Sequence, residues 1–240
     1  MVFSAGLGTR LKPLTDHLPK ALVRVDGREL LQIVLEKIVA AGATEVVVNV
    51  HHFAEQILGF LSEHDFGVPI AVSDERNKLL DTGGGLRHAL GMFSDAPGPI
   101  LIHNVDVLSN ADLRKFYALG SGYDAALLVS ERQSTRYLLF DDEMRLRGWT
   151  NVQTGEVRSP VEGIDVSTLH RYAFSGIHLF SPSLSVRMQA FPEVFPIMDF
   201  YLSECVSSDI RGVLASELRL LDVGKVASLS AASDFLAQLQ

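Results

Sequence analysis

The sequence predicts an α/β domain: a Rossmann-like, mostly parallel sheet with helices on both faces and a small antiparallel insertion. Three observations carry this. Short apolar or β-branched runs alternate with helical patterns over the first 130 residues. Those runs are continuously apolar, as strands covered on both faces are. After about residue 130 the alternation gives way to short strands around an acidic turn.

Residues 1–5 allow only a short first strand, because Gly6 and Gly8 follow at once. Leu30, Leu31, Val34, Leu35 and Ile38 recur at helical spacing, and Gly42 supplies a stop. Residues 45–50 read as a strand, 53–61 as a helix, 69–73 as a strand, 86–93 as a helix and 99–103 as a strand. A helix over 111–119 and a strand over 124–129 complete the alternating part, which calls for a covered parallel sheet. Residues 137–140 and 144–149 flank Asp141-Asp142-Glu143 as a hairpin, 173–180 is a further strand, and 197–206 and 226–239 are helical. With no linker or repeat, one domain is expected over 1–240. Its core is 1–130 and 205–240, with the antiparallel insertion at about 131–204.

Composition excludes several classes. A formal charge of -8 argues against coating nucleic acid or an anionic membrane surface. No apolar run reaches the roughly 18 residues of a membrane span, and no basic-then-apolar leader opens the chain, so a cytoplasmic location is expected. Cys205, the lone cysteine, cannot form an internal disulfide and reads as core packing. Eight histidines invite a metal reading, but the adjacent His51 and His52 at a strand end point apart and lack partners at zinc spacing.

Chemistry concentrates in the first twenty residues: Gly6-Leu7-Gly8-Thr9-Arg10-Leu11-Lys12-Pro13-Leu14-Thr15, then Pro19-Lys20. A dinucleotide fingerprint needs glycine where Leu11 stands, and a Walker loop needs Gly-Lys-Ser/Thr; both fail. What remains is two glycines that let backbone approach a ligand, followed by Arg10 and Lys20, which suits a triphosphate. A second run, Asp81-Thr82-Gly83-Gly84-Gly85, leads into a helix and would expose N–H donors to a base, sugar or phosphate. Asp106, just past a parallel strand, and Asp222, before the last helix, could share Mg²⁺ with phosphate oxygens. Read alone, each fits an ordinary cap or loop acid better than a metal ligand.

The combination of the opening loop with Pro-Lys resembles the sugar nucleotidylyltransferases, or NDP-sugar pyrophosphorylases. The likeness runs from residue 3 to about 235. It implies the nucleotide-diphospho-sugar transferase fold and assigns roles. Ala5, Gly6, Gly8, Thr9, Glu75, Thr82, Gly83 and Asn104 would bind the nucleotide. Gly84, Ser175 and Gly176 would border the sugar. Asp106 and Asp222 would hold Mg²⁺, and Arg10, Lys20 and Asp106 would carry catalysis. Thr-Gly-Gly-Gly looks most like the N-acetylmuramate-1-phosphate uridylyltransferases, so UTP with that sugar phosphate leads and mannose 1-phosphate with GTP is the rival. The fold also serves choline phosphate cytidylyltransferases.

Three departures touch the acceptor side. Val105 replaces a usual glycine, Lys225 stands where threonine is common, and the family's Glu-Lys-Pro segment, whose lysine holds the sugar phosphate, is not visible before Phe174. Arg132 and Arg136 are candidates for the missing charge, while Tyr137 and Trp149 suit either sugar stacking or hairpin packing. A non-catalytic nucleotide-sugar-binding regulator is the alternative of another class; loss of Arg10, Lys20, Asp106 or Asp222 would favour it, and all four are present. Relatives carry several residues before the Phe-Ser-Ala-Gly equivalent, which implies further strand ahead of Met1. They differ too in carrying, in some cases, an appended acyltransferase β-helix, for which no room is expected here. Apolar positions on the last helix are compatible with a homodimer.

Overall fold

The computed structural model describes residues 1–94 and 98–239, so the expected domain end at Gln240 lies outside the described residues. The first strand, β1 (Val2–Phe3), stops at the glycine loop. A small hairpin of β2 (Arg24–Val25) and β3 (Arg28–Glu29) leads into α1 (Leu30–Ala40), whose five apolar positions read from the sequence are all buried. Then come β4 (Val46–Val50), α2 (Ala54–Glu63), β5 (Ile70–Asp74), α3 (Asp81–Ala89) and β6 (Ile100–Asn104).

The order of these strands creates the site. β1 pairs in parallel with β4 on one side and β6 on the other, and β5 lies outside β4. The chain steps outward from β1 to β4 to β5, then returns across β1 to form β6. Such a reversal opens a crevice at the carboxyl ends of the strands, where open α/β sheets bind ligands. The glycine loop leaves β1 there, and Asn104 closes β6 there.

The rest of the chain is β7 (Val107–Ser109), α4 (Leu113–Gly120), β8 (Ala125–Ser130), β9 (Arg136–Phe140), β10 (Leu146–Asn151), β11 (Glu156–Arg158), β12 (His170–Phe180), α5 (Ile197–Glu204), β13 (Ile210–Leu214), β14 (Leu220–Asp222) and α6 (Val226–Ala237). β12 is the pivot. Its second half lies antiparallel between β6 and β8, and its first half pairs with β9, which carries β10 and β11 outward. β13 adds to β8 in parallel and ends that edge.

Residues 131–204 are thus not wholly outside the core. They supply β12 to its centre, because that strand is buried from Ser175 to Phe180 and can satisfy its backbone only between two partners. On one face α1, α2, α4 and α6 cover Val46, Val48 and Val50; on the other, α3 and α5 cover Phe3, Val47, Ile102 and Phe180. Cys205 is buried on the second face, where burial pushes its thiol up to about 11, in keeping with packing. No helix among the described residues is long and apolar enough to cross a membrane.

Candidate active site

The opening loop is folded by its own residues. Gly8 has φ +63°, a conformation that favours glycine, and its carbonyl accepts from Leu11 N–H at 2.9 Å and from the Thr15 hydroxyl at 2.8 Å. Leu11 is fully buried and pins the loop, while Leu7, Thr9 and Arg10 stay exposed. A Cβ on Gly6 would enter open space, so no packing within the chain requires glycine there. Lys20 starts a short turn anchored by buried Ala21 and Leu22.

The two acids meet. β14 pairs antiparallel with β7, placing Asp222 opposite Val107, and Val223 N–H donates to the Asp106 carbonyl at 2.8 Å. The half-buried Lys37 of α1 fixes the same ribbon by donating to the Ser109 carbonyl at 2.5 Å, and burial lowers its ammonium to about 8. Lys20 forms an ion pair with Asp106. Arg10 and the second acid both border Gly224: a Cβ there would lie 2.6 Å from Asp222 Oδ1 and 2.7 Å from Arg10 Nη2. Arg10, Lys20, Asp106 and Asp222 therefore share one end of the crevice. Two carboxylates on adjacent strands are a hard-oxygen donor set that fits Mg²⁺ when phosphate oxygens and water complete it.

Asn49 is the hinge of the nucleotide side. Its Oδ1 accepts from Ser4 N–H at 2.7 Å and Ala5 N–H at 3.3 Å, and its Nδ2 donates to Glu75 Oε1 at 2.7 Å. Glu75 is buried, its second oxygen accepting from Leu80 N–H at 3.2 Å. Burial pushes its carboxyl upward, against the pull of these hydrogen bonds. Glu75, expected to bind the nucleotide, thus holds Asn49, which in turn holds the loop itself.

The glycine triplet also differs from expectation. Gly83, Gly84 and Gly85 lie inside α3 and are buried, and Gly83 and Gly84 N–H both donate to the Phe195 carbonyl, at 2.8 and 3.2 Å. The Thr82 hydroxyl accepts from Ile197 N–H at 2.9 Å. The exposed donors expected there are therefore already used. The glycines permit close packing instead: a Cβ on Gly85 would lie 2.6 Å from Glu75, and one on Gly84 would overlap the Glu193 carbonyl. Because backbone blocks the latter, Gly84→Ala should cost about 2–3 kcal/mol and lower Tm by about 5–10 °C. Thermal unfolding checks this; an unchanged Tm would show that the 193–195 segment yields freely.

Among the residues expected at the sugar, Gly176 has φ +79° and a Cβ there would lie 2.7 Å from Asn104 Nδ2, so β12 packs directly on the end of β6. Ser175 is buried and its hydroxyl accepts from Ile177 N–H at 3.2 Å. Arg132 donates to the Phe174 carbonyl at 2.9 Å, on the same strand. Tyr137, Tyr172, Arg171 and Glu131 line an open groove of about 550 Å³ next to it.

A switch-point crevice with two cations beside two carboxylates suits phosphate-group transfer. The Nucleotidyl transferase family model matches residues 1–238, and the chain belongs to that family. It is 33% identical over 194 residues to an N-acetylmuramate alpha-1-phosphate uridylyltransferase of Caulobacter vibrioides, covering 77% of this chain and 76% of that one. It is 27% identical over 208 residues to a mannose-1-phosphate guanyltransferase of Gibberella zeae, covering 82% of this chain and 55% of the other, so it spans about half of that relative. HddC from Yersinia pseudotuberculosis shares the fold with a TM-score of 0.78 at 18% identity, over 98% of this chain and 97% of that one. The chain is a sugar-1-phosphate nucleotidylyltransferase by class.

Proposed function

We propose that the enzyme couples UTP to N-acetylmuramate 1-phosphate, giving the UDP-sugar and pyrophosphate. An acceptor phosphate oxygen attacks the α-phosphorus in line; one P–O bond forms, the bond to the β-phosphate bridge breaks, and pyrophosphate leaves with the electron pair. The acceptor is itself an anion, so positioning and charge neutralisation supply the catalysis. Arg10 neutralises the departing pyrophosphate and Lys20 the α-phosphate. The backbone at Ala5, Gly6, Gly8 and Thr9 cradles the triphosphate, with Gly6 leaving the room it needs. Asn104 contacts the nucleotide and Gly176 bounds the acceptor, with Ser175 shaping β12 beside it. Thr82, Gly83 and Gly84 form the wall beyond Glu75. Asp106 and Asp222 are the residues that would hold Mg²⁺, which when bound neutralises phosphate-oxygen charge.

The observation that carries the transfer chemistry is the adjacency of Asp106, just before β7, and Asp222, at the end of β14, beside Lys20 and Arg10. The choice of UTP and N-acetylmuramate 1-phosphate is supported by the higher identity to the uridylyltransferase, which is matched over most of its length. The guanyltransferase likeness supports GTP with mannose 1-phosphate as a second reading. Pyrophosphate release over four NTPs and a panel of sugar 1-phosphates decides. UTP with N-acetylmuramate 1-phosphate should exceed every other pair at least about tenfold in kcat/KM, or about 1.4 kcal/mol. A maximum at GTP with mannose 1-phosphate would replace the pairing, and nucleotide binding with no turnover would leave a regulator.

A further inference from the structure

We propose that Lys20 serves as the resident counter-ion of Asp106 and keeps the carboxylate pair closed to a free divalent cation, so that the cation enters only with a triphosphate that draws Lys20 away. This rests on the nucleotidyl-transfer reading above and assigns Lys20 a second task within it. Lys20 and Asp106 are in direct ion contact, with side chains only 11% and 16% exposed. So sheltered a pair is little screened by water, and a divalent ion approaching Asp106 meets the ammonium at short range.

The second carboxylate offers no alternative entry. The Asp222 carboxylate and the Arg10 guanidinium both border Gly224, so this end of the crevice holds two acids and two cations that balance in formal charge. Among the described residues no cluster of three or more His, Cys, Asp or Glu side chains could hold a metal. Two neutralised carboxylates are a poor site for an ion that needs about six oxygens.

A bound triphosphate changes both terms. It brings several negative charges to the loop that carries Lys20 and Arg10, and its oxygens enlarge the donor set. The stem of Lys20 is held against the loop, since a Cβ on Gly8 would lie 3.1 Å from Lys20 Cβ, while the three carbons beyond let the ammonium swing from carboxylate to phosphate. The exchange leaves Asp106 open at the moment when the nucleotide can complete the coordination, and it delivers Lys20 to the phosphate where it acts. Idle enzyme thus keeps a nearly neutral crevice with no metal requirement of its own.

The test titrates Mn²⁺ alone, without nucleotide, and reads the free ion by electron paramagnetic resonance. Wild type should bind weakly, and Lys20→Met should bind at least tenfold tighter. Lys20→Arg, which keeps the charge, should stay weak, and Lys20→Met combined with Asp106→Asn should lose the gain. Equal affinity of Lys20→Met and wild type overturns the proposal, as does a gain that survives in the double variant. Lys20→Gln repeats the comparison if thermal melting shows that Lys20→Met does not fold. Wild-type pyrophosphate release is scored separately. A Lys20-dependent Mn²⁺ site in a protein that turns over no NTP would sink the nucleotidyl-transfer reading while leaving the ion-pair gate standing.

Discussion

Asp106→Asn should reduce kcat/KM for pyrophosphate release by about 10³-fold, or about 4 kcal/mol of transition-state stabilisation. The substitution keeps the shape of the side chain and an oxygen that can still accept from Lys20, so the β7–β14 ribbon should persist. That ribbon is held by backbone pairing and by Lys37, neither of which involves the Asp106 side chain. What is lost is one negative charge from a two-carboxylate set, at the place where Lys20 and Arg10 gather phosphate. Tm should therefore move by no more than a few degrees while turnover collapses. Turnover close to wild type would remove Asp106 from the machinery. Equal loss of turnover and of folding would make the residue structural only.

Legibility followed the range of the interactions concerned. Helices packed by local periodicity could be read directly: every apolar position counted in α1 is buried, and α5 and α6 fall close to the expected residues. β7, β11 and β14 were missed because three residues carry too little pattern to register. β13, though longer, has Arg and Gly within it and owes its place to parallel pairing with β8. The same range sets what was visible of the site. Arg10, Lys20 and the loop glycines are local, whereas the meeting of Asp106 with Asp222 depends on pairing between distant strands.

The glycine triplet shows tertiary packing overriding propensity. Three consecutive glycines disfavour a helix in isolation. Here α3 begins before them because the Phe195 carbonyl caps their N–H groups and only glycine lets the chain around Glu193 and Phe195 approach. Arg87 reinforces that approach by donating to the carbonyls of Met188, Phe191 and Pro192. The glycine run reads in the sequence as exposed N–H donors for a ligand, and in the fold it makes room for a neighbouring segment.

Lowering the pH from 7 to 5 should destabilise the fold by about 4 kcal/mol through two histidines buried in the central sheet. His103 on β6 and His178 on β12 are fully enclosed, and burial pulls their imidazoles down to about 4 and about 3. His103 Nδ1 meets the Asn104 carbonyl at 2.8 Å while its Nε2 has no partner among the described residues, and His178 Nδ1 meets the Tyr201 hydroxyl at 2.7 Å. Both rings are held neutral in the fold but take up protons near the usual 6.5 once the chain unfolds. The unfolded state then binds more protons, so the stability is present above about 6.5 and is lost as pH falls toward 4. Glu75, raised by burial, opposes it. Set against a total stability of about 5–15 kcal/mol, the loss is large enough to read in urea unfolding at the two pH values. His178→Gln isolates one ring from these other groups and should remove about half of the histidine contribution, flattening the pH slope whatever it does to stability at pH 7. An unchanged slope in that variant would mean that His178 is protonated within the fold, and equal stability of wild type at pH 7 and 5 would overturn the assignment for both rings.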